Sequence, residues 1–367
     1  MLTKYLASFV LAGVLFAVSA VAQDAKPQHV APEVAADGAI TTLGARFPFS
    51  VYASKEALKR FQEMLVEDRN APDFDGPVEA TRAYYDKIDS SRVERMKKLY
   101  PVRIEALRIG GVPVDIVTAA NVKTDTQRVL INLHWGGFLF GAGNGGLVES
   151  IPVASLSKIT VISVDYRMGP EHTFPAASED VEKVYRELLK RYKPQDIGLY
   201  GCSAGGALTA ESVAWFASKK LPAPGAIGIF CAGVVGFGGD SAYVASLLNA
   251  RPVPLESSMD LNALPYFHGI DMDNPLVLPG RSPAVLAKFP PTLLISGTRD
   301  EELSAVLRTE DLLTQAGVPT ELHVWDGMWH RFFADPELPE SKAAYAVMAR
   351  FFDRHLGHAL IAASKKS

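Results

Sequence analysis

The chain has 367 residues, 48% of them apolar, and a formal net charge of −4, which is enough apolar residue for a large core in one or two domains. No basic cluster stands out, so nucleic acid is not expected as a partner. HExxH, paired CxxC and Walker-type runs are all missing, so the sequence supports neither a metal nor any other cofactor.

Residues 1–22 read as a signal peptide: Lys4 supplies the charged end, Tyr5 to Val18 is apolar, and Ala20-Val21-Ala22 fits a small-residue cleavage site, with Gln23 as the mature N-terminus. The competing reading is an uncleaved anchor, since Tyr5 to Ala22 reaches only the short limit of a membrane span. Cleavage predicts a periplasmic or secreted protein with no stable membrane anchor. Export would permit a disulfide between the two cysteines, Cys202 and Cys231, although both read as buried free thiols.

Residues 23–46 are Ala, Pro, Asp and Gly without periodicity and read as a flexible leader. Two helical patterns follow over 47–100, with Leu58, Phe61 and Leu65 on one face of the first. They form an N-terminal helical segment that either caps the sheet or packs on its side. From 101 to 357 strands alternate with helices. Arg103–Ile109 and Val112–Thr118 read as a hairpin around Gly110-Gly111. Arg128–His134 and Thr160–Tyr166 have the β-branched composition of buried parallel strands. Glu179–Tyr192 carries the clearest helical stripe. Strand Ile197–Tyr200, a helix over Gly206–Leu221 and strand Ala226–Cys231 come next. Residues 236–280 break the rhythm and read as a cap or lid insertion. Strand Pro291–Ser296, a helix near Ala305–Gln315, strand Thr320–Trp325 and helix Ser341–Arg354 complete an α/β fold with a mostly parallel sheet covered on both faces. Residues 358–367 are a tail.

Gly201-Cys202-Ser203-Ala204-Gly205 lies between a strand and a helix, the context of a nucleophile elbow. A Ser nucleophile needs a base, an acid that orients the base, and N–H donors for the oxyanion. His330 is the candidate base, in a Gly-containing loop after the last strand. Asp300 is the candidate acid, just beyond the strand that ends at Ser296, with Glu301, Glu302 and Asp326 as rivals. Gly136, Gly137 and Ala204 are the candidate oxyanion donors, with His134 as a scaffold hydrogen-bonder. Gly239-Asp240-Ser241-Ala242-Tyr243 imitates the elbow without its closing Gly and reads as cap loop. Trp135, Phe138 and Trp329 are candidate pocket residues.

These residues together resemble the bacterial hormone-sensitive-lipase-like family of α/β-hydrolases. The family's HGGGF run corresponds to His134-Trp135-Gly136-Gly137-Phe138, and its D-Y-R-L-A-P-E-H run to Asp165 through His172. The elbow corresponds to Gly201 through Gly206, and the G-M-x-H-x-F run to Gly327 through Phe332. The resemblance implies an eight-stranded sheet with a helical cap, and carboxylester hydrolysis without a cofactor. Trp135 departs from the family's first Gly, and Cys202 from its usual Asp or Thr. Together these readings predict an exported serine carboxylesterase that acts on small, short- to medium-chain esters through an acyl-enzyme on Ser203. Alternatives are an amidase or formamidase on the same triad and a non-catalytic ligand-binding homologue. A homodimer stays open.

Overall fold

The computed structural model describes residues 33–42, 45–72, 76–250 and 261–357. The expected signal peptide and the 358–367 tail lie outside the described residues. Where the composition predicts a flexible leader through residue 46, strands β1 (Glu33–Val34), β2 (Ile40–Thr42) and β3 (Ala45–Phe47) form a small antiparallel sheet. The reason is apolar cover. Ile40 is fully buried in the cluster that holds Phe49, Ala57, Phe61 and Leu65.

Helix α1 (Lys55–Arg69) starts at Ser54, whose Oγ accepts from the Ala57 N–H at 3.0 Å. This side-chain acceptor satisfies one of the helix's unpaired N–H groups. Ala57, Phe61 and Leu65 recur every four residues and form the buried stripe of α1. Helix α2 (Val78–Leu99) follows. Strands β4 (Val102–Ile109) and β5 (Val112–Ala119) make the expected hairpin. Then come β6 (Asp125–Leu133), α3 (Asn144–Ser157), β7 (Ile159–Val164), α4 (Ala176–Leu189), β8 (Ile197–Cys202), α5 (Ala204–Ser218) and β9 (Ala226–Phe230). The expected insertion contains α6 (Asp240–Leu248) and is followed by the one-turn helix α7 (Pro283–Leu286). Strand β10 (Thr292–Arg299), α8 (Leu303–Gln315), β11 (Thr320–Trp329) and α9 (Pro339–His355) complete the chain.

The large sheet has eight strands in the order β11-β10-β9-β8-β6-β7-β5-β4. The strands from β11 to β7 are parallel, and β5 and β4 form an antiparallel edge. Side chains alternate between faces, as a pleated strand requires. Val129, Ile131, Leu199 and Ile229 join one core with Val181 of α4, Leu208 of α5 and Val306 of α8. Leu130, Tyr200 and Phe230 join the other with Phe61 of α1, Ile151 of α3 and Phe351 of α9. All six residues of β8 are buried, so this strand lies inside both cores.

Two boundaries differ from the sequence reading. The elbow mimic at Gly239–Tyr243 is a helix start rather than a loop, because Asp240 opens α6. Ser241 there is fastened: its Oγ donates to the Glu301 carbonyl at 2.8 Å and accepts from the Ser304 N–H at 2.8 Å. Strand β11 runs on past Trp325 to Trp329 through a bulge, since Gly297 pairs with Trp325 but Arg299 with Trp329. Among the described residues, no helix is long and apolar enough to cross a membrane.

Candidate active site

The carboxyl ends of five neighbouring strands deliver the candidate groups in spatial order. His330 follows β11, Asp300 follows β10, Cys231 follows β9, Ser203 follows β8, and Gly136 and Gly137 follow β6. Ligand sites in open α/β sheets form at this edge.

Ser203 sits between β8 and α5 with φ 55° and ψ −123°. Such a conformation costs on the order of 1–3 kcal/mol and persists only where neighbours enforce it. The Ser203 N–H donates to the Phe230 carbonyl at 2.8 Å, and the Ser203 carbonyl accepts from the Ala207 N–H at 2.9 Å. The turn leaves no room for side chains at its flanks. A Cβ on Gly205 would stand 1.8 Å from the Leu133 carbonyl oxygen, and one on Gly201 would stand 2.3 Å from it. Ser203 is thereby lifted to a partly exposed position at the N-terminus of α5, where free N–H groups and the helix dipole favour negative charge.

Three successive residues after β6 have positive φ: Gly136 at 115°, Gly137 at 59° and Phe138 at 58°. The loop closes on itself through Leu139 and Phe140 N–H bonds to the Gly136 carbonyl. Among the described residues, neither the Gly136 nor the Gly137 N–H has an acceptor, which leaves both free for an anionic oxygen. His134 anchors the base of the loop. Its Nδ1 lies 2.7 Å from the Trp135 carbonyl oxygen, its ring stacks on Tyr166 at 4.1 Å, and the Tyr166 hydroxyl donates to the His134 carbonyl. Burial pushes the His134 pKa down to about 4, so the ring is neutral at physiological pH.

Asp300 is fully buried. Its Oδ2 accepts from the Ser296 hydroxyl at 2.7 Å, and its Oδ1 accepts from the Glu302 N–H at 3.0 Å and lies 2.7 Å from His330 Nδ1. Burial alone would raise its pKa. His330 and the hydrogen bonds outweigh burial and hold the carboxyl below the usual carboxylate range. For His330 burial opposes the imidazolium, and the adjacent Asp300 charge reverses that and raises the pKa. Two of the rival acids have other partners. Asp326 accepts from Thr298 at 3.1 Å and bonds Ser50, which pins the β11 bulge. Glu301 accepts from Asn249 at 3.0 Å. Glu302 stands at the first boundary position of α8 without a capping side-chain bond, and burial pushes it up to about 8, so it favours the neutral acid.

The three candidate pocket residues are engaged elsewhere. Trp329 is 3% exposed and packs on Phe61 of α1 at 5.8 Å. Phe138 is buried, stacks on Tyr266 at 4.7 Å and meets Phe267 edge-on. The Trp135 indole donates to Asp89 of α2 at 2.9 Å and lies under the Arg331 guanidinium. These side chains shape the walls behind the loops. Aromatic residues beside a motif are buried in a core as readily as in a pocket, and Trp135 is the one of the three that stays partly exposed.

Cys202 and Cys231 are both free and buried. The Cys231 sulfur, a carboxylate oxygen of Asp300 and a ring nitrogen of His330 lie within 4.8 Å of one another. Asp300 Oδ1 and His330 Nδ1 already engage each other at 2.7 Å, so the trio serves as a hydrogen-bonded pair over a buried thiol. The sequence places Cys231 near Cys202 of the elbow but not beside Asp300 and His330, and it does not single out Ser296 at all. The place of Cys231 could have been found by asking what ends the strand between β8 and β10, and that of Ser296 from its position four residues before Asp300.

The electrostatics give a signed expectation. His330 should titrate above its ordinary value near 6.5. In Asp300→Asn the charge is gone and burial remains, so the midpoint should fall below 6.5. Ring-proton or ring-nitrogen NMR across pH 4 to about 11 would follow both. A wild-type midpoint at or below 6.5 contradicts the reading of this pair.

Comparison with known proteins agrees with this architecture. A family model described as alpha/beta hydrolase fold matches residues 130–334. The crystal structure of an esterase designated E25 superposes with a TM-score of 0.71 at 32% identity, covering 86% of this chain and 99% of that one. An esterase from the bacterial hormone-sensitive lipase family superposes at 0.73 with 28% identity, covering 83% and 100%. An acetyl-hydrolase of Streptomyces hygroscopicus is 26% identical over 283 residues, which is 74% of this chain and 93% of that protein. The chain belongs to the alpha/beta-hydrolase family, among its hormone-sensitive-lipase-like carboxylic ester hydrolases.

Proposed function

We propose that the protein is an exported serine carboxylesterase acting on short- to medium-chain esters through an acyl-enzyme on Ser203. The observation that carries this reading is the half-buried 2.7 Å contact between Asp300 and His330, at the same sheet edge as the strained Ser203 turn. In this mechanism the neutral form of His330, whose share grows as pH rises towards its raised pKa, takes the Ser203 proton as Oγ attacks the ester carbonyl. The N–H groups of Gly136, Gly137 and Ala204 receive the oxyanion. The imidazolium formed is stabilised by Asp300, which also fixes the tautomer that leaves Nε2 free to act. His330 then protonates the leaving alcohol, and water repeats the cycle on the acyl-enzyme. The acetyl-hydrolase relative supports a short acyl group.

Export rests on Lys4, the apolar run and the Ala20-Val21-Ala22 site. The small ester is the only partner this reading requires.

Hydrolysis of p-nitrophenyl esters from acetyl to dodecanoyl should be fastest at the short end. Ser203→Ala should lose about 10⁴-fold or more in kcat, because the triad acts as a unit. Turnover of anilides without turnover of any ester would replace the esterase by an amidase. Undiminished ester turnover in Ser203→Ala would overturn the nucleophile. For export, N-terminal sequencing of the processed protein should begin at Gln23, and an intact Met1 on a soluble cytosolic product would contradict it.

A further inference from the structure

We infer that Asp89, on helix α2, is a positioning residue that sets both the oxyanion loop and the loop of the base from a single buried carboxylate. The inference rests on the serine esterase reading above.

Asp89 is 1% exposed. Its Oδ2 accepts from the Trp135 indole N–H at 2.9 Å, and its Oδ1 accepts from Arg331 at 3.1 Å and from Arg92 at 3.0 Å. Trp135 immediately precedes Gly136, and Arg331 immediately follows His330. One carboxylate therefore grips the residue beside an oxyanion donor and the residue beside the base. The two gripped side chains also hold each other, since the Arg331 guanidinium lies 4.0 Å from the centre of the Trp135 ring. Arg331 has the backbone for a sharp turn, with φ 58°. The rest of the guanidinium is fixed by the Gly145 carbonyl at 3.2 Å and by Glu149 at 3.4 Å.

A second contact from the same helix acts on the same loop. Arg82 donates to the Leu139 carbonyl at 2.8 Å while its other nitrogens bind Glu171. Helix α2 thus sets the oxyanion loop at two points, and at one of them it also sets His330. Trp135 is where this chain departs from the glycine of the resembling family, and Asp89 with Arg331 supplies the partners its indole needs. Oxyanion donors and base both act through sub-ångström placement, so a relaxed clamp should lower the rate of the chemical step more than substrate binding.

The test is a cycle of Asp89→Asn, Trp135→Phe and the double variant, with kcat and KM for a short p-nitrophenyl ester. Trp135→Phe keeps an aromatic ring for Arg331 and removes the donor to Asp89, at the cost of part of the packing on Tyr85 and Phe140. It therefore decides the question if Asp89→Asn fails to fold. Each single variant should lower kcat by about ten- to a hundredfold with KM changed by less than about threefold. The double variant should be no worse than the poorer single. An unchanged kcat in folded Asp89→Asn or in Trp135→Phe overturns the inference, as does a loss carried wholly by KM or a double variant whose losses multiply. Wild type without ester turnover, or Ser203→Ala with full turnover, would instead bring down the esterase reading itself.

Discussion

The geometry of the site follows from how closely the turn after β8 approaches the end of β6. The Leu133 carbonyl of β6 occupies the space that side chains at Gly201 and Gly205 would need. That proximity does two things at once. It forces Ser203 into a left-handed backbone conformation with its side chain lifted from the sheet, and it sets the start of α5 beside the loop that leaves β6. A serine and N–H donors from two elements then face one region with no further device. The strain, of order 1–3 kcal/mol, is offset by a turn bonded through the Ser203 N–H and carbonyl and seated on a fully buried strand.

A second constraint comes from outside the sheet. Residues beside the oxyanion loop, the base and the acid are gripped by elements that precede the sheet or are inserted into it. Asp89 of α2 holds Trp135 and Arg331. Arg299, next to Asp300, donates to the Pro48 and Leu248 carbonyls and lies over the rings of Phe49 and Phe61. Asp335, just past the base, is buried among Arg60, Arg92 and Arg95. Buried charges of this kind contribute little net stability against a well-packed apolar alternative, but removing one partner is strongly destabilising. Their effect is to fix geometry, which is what loops carrying catalytic groups lack on their own.

The sheet and its helices were legible because strand and helix periodicities are local: β8, α4 and the hairpin of β4 and β5 could be read from their own side chains. The triad candidates were legible because an elbow, an acid after a strand and a His after the last strand are spaced by the fold itself. The end of the expected leader, 33–42 and 45–46, was misread because a few apolar residues in a polar stretch carry no period, and only the partner surface shows that Ile40 is covered. The start of α6 was misread because Gly239 and Asp240 look like a turn until α8 and the Glu301 carbonyl bind Ser241. The roles of Trp135, Phe138 and Trp329 were not legible, since an aromatic ring serves a pocket or a core equally well. Nothing in the chain connects Asp89 to Trp135 and Arg331, which lie far from it in sequence and meet only when α2 docks.

The most direct test of the account is to treat the enzyme with a fluorophosphonate and map the adduct by peptide mass spectrometry. A single phosphonylated residue, Ser203, is expected, with labelling abolished in His330→Ala. An adduct on Ser241 or another serine, or labelling of Ser203 that does not depend on His330, would contradict it.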